Sequence, residues 1–391
     1  MSPPDTATAI ELMEQFAHRT GLAPEATPVR YLWTDAFAVC TCLGLSRAGA
    51  DPGFRALARR TIGQVHAVLG HFRPDDARSG WLAGPCGQAS EDHPTRAGLR
   101  IGKPMPERRT GEPFDERLEW DRDGQYFHYL TRWMQALDKA APQLGEPAMS
   151  RWACELADTA HRAFTHRTAS GQRRLYWKMS TDLSRPLVPS MGQHDPLDGL
   201  VTTLALRATA DALHVPTPPL EQALADYAAM LEGNPLVTGD PLGLGGLLTD
   251  ALRLGRLVRH GADGYRTLLG HILQSAAASL EYCRLRLDAP AEQRLGFREL
   301  GLAIGLAAIE RLAADIAGGT SPASAPMRRL VEGLAAQAPL RAAINRFWLQ
   351  PAHRAATSWT EHRDINEVML ATSLAPDGWL ENGARSPAPA G

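Results

Sequence analysis

The sequence has 391 residues, of which 44% are hydrophobic and 21% are charged, so it can form a large core and is not a disordered chain. Its 41 Lys and Arg residues are scattered among 43 Asp and Glu residues, which leaves no basic face for a nucleic acid. The N-terminus lacks the pattern of a signal peptide, and no apolar run approaches the roughly 18 residues that span a bilayer. We expect a cytoplasmic protein without nucleic-acid or membrane partners.

The five cysteines do not form a recognisable disulfide or zinc pattern. They are an odd number in a large chain, which argues against a disulfide framework. Cys40 and Cys42 are two positions apart, whereas paired zinc ligands usually have about two to four residues between them. The sequence therefore predicts buried structural thiols, no metal site and no cofactor.

Apolar residues recur every three to four positions along most of the chain, interrupted by Pro, Gly and Asp. This spacing predicts about twelve helices, at residues 5–18, 29–47, 53–71, 123–141, 147–166, 195–214, 218–232, 241–259, 263–287, 296–317, 325–348 and 360–374. Strand-like alternation is confined to Leu99–Ile101 and Leu175–Met179. The predicted class is all-α.

The even-numbered predicted helices differ from the odd-numbered ones. The eighth and tenth, which contain the segments 241–248 and 301–308, are apolar on all sides, and such helices are buried all round. The odd-numbered helices keep a polar face. Alternating inner and outer helices predict an (α/α)6 toroid of six hairpins, with an open superhelical array as the alternative. We expect a single barrel domain over 1–385, followed by a disordered tail at 386–391.

Two connections, 72–122 and 167–194, are much longer than the usual helix–helix loop. Both lead from an outer helix into an inner one, so both should lie at the same end of the barrel, where long ordered loops commonly build a site. The first loop carries arginines and acidic residues in similar number. It is predicted to be a salt-bridged lid, with an anion-binding loop as the alternative.

Polar residues gather at the starts of the inner helices, in the segments 30–35, 119–126, 193–198 and 359–367. Inner helices of such a barrel point the same way, so these starts should converge on one mouth. The catalytic candidates are acids and imidazoles that can transfer protons: Asp35, Asp121, Asp123, His194, Asp198 and His362. The substrate-binding candidates are charged or aromatic: Arg30, Trp33, Glu119, Trp120, Trp177, Asp364 and Glu367.

Each candidate also has a structural interpretation. Acidic residues at helix starts are favoured by capping and by the helix dipole, and this applies above all to Asp195, which precedes a proline. Asp35 and Asp198 lie further inside apolar helices, where a buried carboxylate is costly unless it is paired or used. Tryptophans pack in cores as readily as they stack on sugars.

The segment Arg30–Asp35, with its arginine and aromatic residues at the start of an inner helix, resembles the six-hairpin glycosidase superfamily, as does the architecture of nearly the whole chain. That superfamily includes glycoside hydrolases and N-acylglucosamine 2-epimerase-like enzymes. In the epimerase group, histidines at inner-helix ends exchange a proton at a sugar carbon, and His194 and His362 are similarly placed. Asp240 stands where that group has another histidine.

The resemblance implies a carbohydrate-active enzyme with a small, sugar-like substrate. The first hypothesis is hydrolysis of a glycosidic bond by paired carboxylates at the mouth. The second is a sugar epimerase or isomerase that uses His194 and His362. The third is a non-catalytic ligand-binding or scaffold protein whose mouth carboxylates are neutralised by arginines such as Arg30, Arg122 and Arg363.

Overall fold

A computed structural model describes residues 3–23, 26–49, 51–283, 285–319 and 323–381. The predicted tail at 386–391 lies outside the described residues. No helix in the described ranges is long and apolar enough to cross a membrane.

The long helices lie close to the positions that apolar spacing predicts. In chain order the helices are α1 Pro3–Arg19, α2 Leu32–Arg47, α3 Gly53–Leu69, α4 Glu116–Glu119, α5 Phe127–Leu144, α6 Pro147–Phe164, α7 Asp195–Leu213, α8 Glu221–Leu231, α9 Pro241–Arg259, α10 Arg266–Tyr282, α11 Gly296–Ala317, α12 Ala325–Ala335, α13 Ala338–Leu349, α14 Pro351–Arg354, α15 Thr357–Thr360, α16 Arg363–Leu374 and α17 Asp377–Leu380. Two 3-10 turns, Asp263–Tyr265 and Ala291–Gln293, precede α10 and α11.

The predicted helix 325–348 is two helices, α12 and α13. Pro339 lies in the first turn of α13 and cannot donate a backbone hydrogen bond to the preceding turn.

The start of α9 is capped by the residue before it. Asp240 Oδ2 accepts a hydrogen bond from the Gly243 amide at 3.1 Å, and so satisfies a backbone donor of the first turn.

Short antiparallel strands occupy the long loops and the residues that flank them. The strands are β1 Ala83–Gly84, β2 Gly87–Gln88, β3 Gln125–Tyr126, β4 Thr165–Arg167, β5 Arg173–Leu175, β6 Lys178–Met179 and β7 Pro186–Val188. They form a β1–β2 pair, a β4–β5 pair and a three-stranded sheet in the order β3–β6–β7. The predicted strand at Leu175–Met179 thus falls on β5 and β6. Leu99–Ile101 is not a strand, because the Leu99 amide donates to the side chain of Gln125.

The described residues form two compact units: residues 17–234, here the 17–234 unit, and residues 3–16 with 235–381, here the 235–381 unit. In the 17–234 unit, α2 packs against α5 and α5 against α7, while α3, α6 and α8 pack on these three helices. Every residue of α2 from Leu32 to Leu45 is buried, as expected for an inner helix.

The 235–381 unit is organised in the same way. Helix α9 packs against α11, and α11 packs against α16, while α10 packs on α9 and both α12 and α13 pack on α11. Glycines allow the close approach of α9 and α11: a methyl group on Gly245 would lie 2.1 Å from the carbonyl oxygen of Gly301. The single domain over 1–385 stays a prediction.

The thiols follow the predicted pattern in part. Cys40, Cys42 and Cys154 are buried, whereas Cys86 and Cys283 are partly exposed.

Candidate functional site

Asp35, predicted to be catalytic, lies in a buried ion pair. Arg30 Nη1 donates to Asp35 Oδ1 at 3.0 Å, and the Tyr31 amide donates to Asp35 Oδ2 at 2.9 Å. Arg30 also donates to the carbonyl oxygen of Thr20. Both carboxylate oxygens therefore hold the start of α2 in place, and the catalytic role of Asp35 and the substrate-binding role of Arg30 stay predictions.

Asp123 is fully buried and is held in the same manner. Arg100 Nη1 donates to its Oδ2, and the amides of Gly102 and Gly124 donate to its Oδ1, each at 3.0 Å. The carboxylate thereby joins the loop at 100–102 to the entry of α5. Both oxygens of Asp123 thus accept hydrogen bonds from the protein, and its catalytic role stays a prediction.

Glu119, predicted to bind substrate, is neutralised by two cations. Arg108 Nε donates to Oε2 at 3.0 Å, and the buried Lys178 ammonium donates to Oε1 at 2.9 Å. Lys178 also donates to the carbonyl oxygens of Glu119 and Arg122. The pairing fits the predicted salt-bridged lid, and so does Arg78, which joins Asp76, Glu107 and Asp182.

The two remaining candidates of the early segments differ in exposure. Trp33 is buried and packs against Phe37, with ring centroids 4.5 Å apart, so its surroundings are those of a core residue. Asp121 is exposed, and its backbone carbonyl accepts from the Met105 amide.

An aromatic cluster lies where the long loops meet the start of α5. It consists of Tyr31, Trp120, Tyr126, His128, Tyr129 and Trp177. Strand pairing creates it: Tyr126 on β3 faces Lys178 on β6, which brings Trp177 beside Phe127 and His128. The Phe127 amide donates to the carbonyl oxygen of Trp177 at 3.3 Å.

Trp120 gives this aromatic cluster an accessible surface. Its side chain is 48% exposed and meets Trp177 edge to face, with centroids 5.3 Å apart. An exposed tryptophan fixed against a second one offers an apolar face of the kind that stacks on a sugar ring. The predicted substrate-binding residues Trp120 and Trp177 are thus adjacent.

Two tyrosines close another side of the aromatic cluster. The hydroxyls of Tyr31 and Tyr129 are 2.5 Å apart, and burial raises the pKa of Tyr31 to about 12, so this phenol is neutral. The Lys103 ammonium lies 5.4 Å from the centre of the Tyr31 ring. Burial lowers the pKa of Lys103, an effect that the nearby Asp121 and Asp123 oppose.

The first turn of α7 brings His194, Asp195 and Asp198 together. His194 is the half-buried N-cap residue, and Asp198 pairs with Arg132 of α5 at 3.0 Å. Asp195 is buried and accepts from the Gly192 amide at 3.1 Å. Burial and the neighbouring charge of Asp198 raise the pKa of Asp195 to about 7.

The remaining candidates belong to the 235–381 unit. His362 is exposed, is the N-cap residue of α16 and meets Phe297 edge to face, with centroids 5.7 Å apart. Asp364 is half-buried and Glu367 is buried in the same helix. Their roles remain predictions. Across the described ranges, no group of three or more His, Cys, Asp or Glu side chains is placed to hold a metal ion.

The structure adds Arg132 and His128 to the side chains near the start of α7, and neither is among the candidates predicted from the sequence. Arg132 follows His128 by four positions in α5, so both lie on one face of the helix. The spacing of four positions between an imidazole and a guanidinium at the start of an inner helix was the available signal. Asp198 links this face to α7 through its ion pair with Arg132.

Comparison with solved structures finds similar folds at low sequence identity. A D-mannose isomerase is similar with a TM-score of 0.51 and 11% identity, over 96% of this chain and 98% of that chain. The cellobiose 2-epimerase of Spirochaeta thermophila DSM 6192 is similar with a TM-score of 0.49 and 12% identity, over 93% of this chain and 97% of that chain. No protein-family model matches the sequence, and no curated protein matches it.

At this identity, the likeness to the D-mannose isomerase shows the fold alone. It confirms the all-α class and the (α/α)6 fold, both predicted from the sequence.

Proposed function

We propose that the protein is a sugar isomerase or epimerase, acting by proton transfer at the carbon beside a sugar carbonyl. The observation that carries this proposal is the composition of the α7 turn: His194 adjoins Asp195, and Asp198 is paired with Arg132 beside the aromatic cluster. An imidazole supplies a base near neutral pH, and a carboxyl with a pKa near 7 supplies an exchangeable proton. The fold shared with a D-mannose isomerase supports the same class.

Hydrolysis by paired carboxylates has less support. A glycosidase needs two carboxyl groups facing the scissile bond, one of them able to give up a proton. Asp35, Asp123 and Glu119 have their oxygens engaged by arginine, lysine or backbone amides. Asp195 and Asp198 remain a carboxyl pair that could serve hydrolysis. We favour the isomerase or epimerase hypothesis because His194 adjoins this pair and because the fold is shared with a D-mannose isomerase. His362 stays the second candidate for the histidine that moves the proton.

Deuterium exchange tests the proposal directly. The protein is incubated in D2O with D-mannose, D-glucose, D-fructose and cellobiose, and proton NMR follows the C1 and C2 positions and any new sugar. We expect exchange at a carbon beside the carbonyl together with an isomer or epimer. Release of monosaccharide from cellobiose without exchange would indicate hydrolysis instead. The absence of both exchange and hydrolysis would overturn the proposal for these sugars.

His194→Asn should slow the exchange by about 10²- to 10⁴-fold, the usual contribution of a positioned general acid or base. The matched control is His214→Asn at the other end of α7. His214 is exposed and has a positive φ of 55°, a conformation that asparagine tolerates. An unchanged rate in His194→Asn would remove His194 from the mechanism, and His362→Asn tests the second histidine in the same way.

A further inference from the structure

Trp177 determines which nitrogen of His128 can carry a proton. The indole Nε1–H of Trp177 is a donor only, and it lies 3.3 Å from His128 Nδ1. Trp177 is itself held by the β3–β6 pairing and by the Phe127 amide on its carbonyl oxygen. Nδ1 must therefore accept, so it carries no proton.

The surroundings of His128 keep the ring neutral. Tyr126 stacks on it with centroids 5.5 Å apart, and Tyr129 meets it edge to face at 4.7 Å. Burial among these rings, with a smaller effect of Arg132, lowers the pKa of His128 to about 4, although the charge of Asp198 opposes the shift. At neutral pH the remaining proton is on Nε2.

The Nε2–H group is available for a ligand. Within the described ranges, the His128 side chain makes one hydrogen bond, which its Nδ1 accepts from Trp177. The residue is only half-buried, in contrast to its aromatic neighbour Tyr126, and its cluster partner Trp177 supports the exposed Trp120. A fixed donor thus lies within the aromatic cluster that offers a surface for a sugar.

We propose that His128, held by Trp177 as the Nε2–H tautomer, donates a hydrogen bond to an oxygen atom of the bound sugar at the reacting end. This inference rests on the proposed function and assigns a role within it. His128 would stabilise negative charge that develops on the carbonyl oxygen during enolisation, without taking up or releasing a proton itself. Other groups, such as His194, would transfer the proton.

Histidine-selective ¹⁵N NMR tests the tautomer without any turnover. At pH 7, His128 should show an unprotonated Nδ1 and a protonated Nε2. Its signal is assigned as the one that disappears in the spectrum of His128→Gln. His66 is an internal reference of opposite tautomer, because Trp133 Nε1 donates to its Nε2 at 3.2 Å. Trp177→Phe should convert His128 to a tautomer mixture and leave His66 unchanged. A proton on Nδ1 of His128 would overturn the inference.

Kinetics distinguish a donor from a base and from a packing residue. In His128→Gln the amide N–H can lie near the position of the original Nε2–H, whereas His128→Leu has no donor there. We expect His128→Leu to lower kcat by about 10²- to 10³-fold, as for other donors to a developing oxyanion, and His128→Gln to restore part of the loss. The pH profile of kcat/KM should keep its shape in His128→Gln.

An equal loss of kcat in His128→Leu and His128→Gln, together with the disappearance of one pKa from the pH profile of kcat/KM, would show that His128 is a base. This result would overturn the inference. Lower thermal stability with unchanged kcat would show a packing role and would also overturn it. Should the wild type exchange none of the four sugars, the proposed function fails. His128 is then judged by its own spectrum: a D-mannose-induced shift of its Nε2–H signal supports a sugar donor, and no shift counts against it.

Discussion

At the scale of single residues, Asp195 has the more unusual environment of the two carboxyls in the first turn of α7. Asp198 is stabilised as an anion by Arg132, whereas Asp195 accepts a hydrogen bond from the Gly192 amide and is destabilised as an anion by burial and by the charge of Asp198, which Arg132 offsets in part. One acidic group held as a carboxylate beside another that keeps its proton near neutral pH is a common arrangement for acid–base chemistry. Neighbouring positions in one sequence motif therefore have different electrostatic surroundings.

The raised pKa of Asp195 predicts a pH dependence of stability. Between about pH 4, near the pKa of an unfolded aspartate, and pH 7, the folded state binds a proton that the unfolded state has lost. The contribution of Asp195 to the free energy of unfolding therefore falls as pH rises through this window. In Asp195→Asn the side chain at this position does not titrate, so this pH-dependent decrease is absent. The free energy of unfolding of the variant, relative to that of the wild type, should therefore increase from about pH 4 to 7 and then level off.

Chemical denaturation at several pH values measures this difference. Asp211→Asn is the matched control, because Asp211 is an exposed aspartate at the other end of α7. The change with pH that belongs to Asp195 is the part of its stability difference that exceeds the one measured for Asp211→Asn. The absence of such an excess would mean that Asp195 is ionised throughout.

At the scale of elements, glycine sets the distance between α9 and α11. A methyl group on Gly245 would lie 2.1 Å from the Gly301 carbonyl oxygen, and one on Gly305 would lie 2.6 Å from the Cα of Gly245. The atoms in the way are backbone atoms, which cannot move aside by a change of rotamer. The glycines in the two apolar segments therefore serve close packing, even though glycine weakens a helix by itself.

Gly245→Ala should destabilise the protein by about 1–3 kcal/mol, the usual cost of overpacking a core. Gly270→Ala is the control, since Gly270 lies inside α10 with no atom within 4 Å of the added methyl group. It should raise stability by about 0.5–1 kcal/mol through helix propensity. Thermal unfolding of both variants checks the contrast, and equal effects would refute the packing argument.

At the scale of the whole molecule, a ligand that binds only the folded state raises the unfolding temperature. For a sugar at ten times its Kd the gain is about 1.4 kcal/mol, or about 1–2 °C for a chain of this size. We expect such a shift with at least one of D-mannose, D-glucose, D-fructose or cellobiose, over that produced by glycerol at equal concentration.

Trp120→Ala should abolish the sugar-dependent shift and leave the unfolding temperature without sugar nearly unchanged, because Trp120 is 48% exposed. Tyr282→Ala removes an exposed aromatic side chain of the 235–381 unit and is the control. A full shift in Trp120→Ala would exclude this tryptophan as the sugar-stacking surface.

The sequence by itself determined the helices and the class of fold. Apolar spacing is a local property, since each helix must bury one face or all of them, and it was enough to place the inner helices and the (α/α)6 fold. It also placed His194, Asp198, Trp120 and Trp177 near helix starts or in the long loops. Pro339, which divides a predicted helix, was a local signal too.

Only the tertiary structure decided which polar side chains neutralise each other. Arg100 and Asp123 are 23 positions apart, Glu119 and Lys178 are 59 apart, and His128 and Trp177 are 49 apart. No periodicity relates such pairs, because ion pairing, burial and hydrogen-bond direction depend on distances in space. Asp35, Asp123 and Asp195 all lie at or near the start of a helix, yet the first two are paired with arginine, whereas burial and Asp198 raise the pKa of Asp195 to about 7.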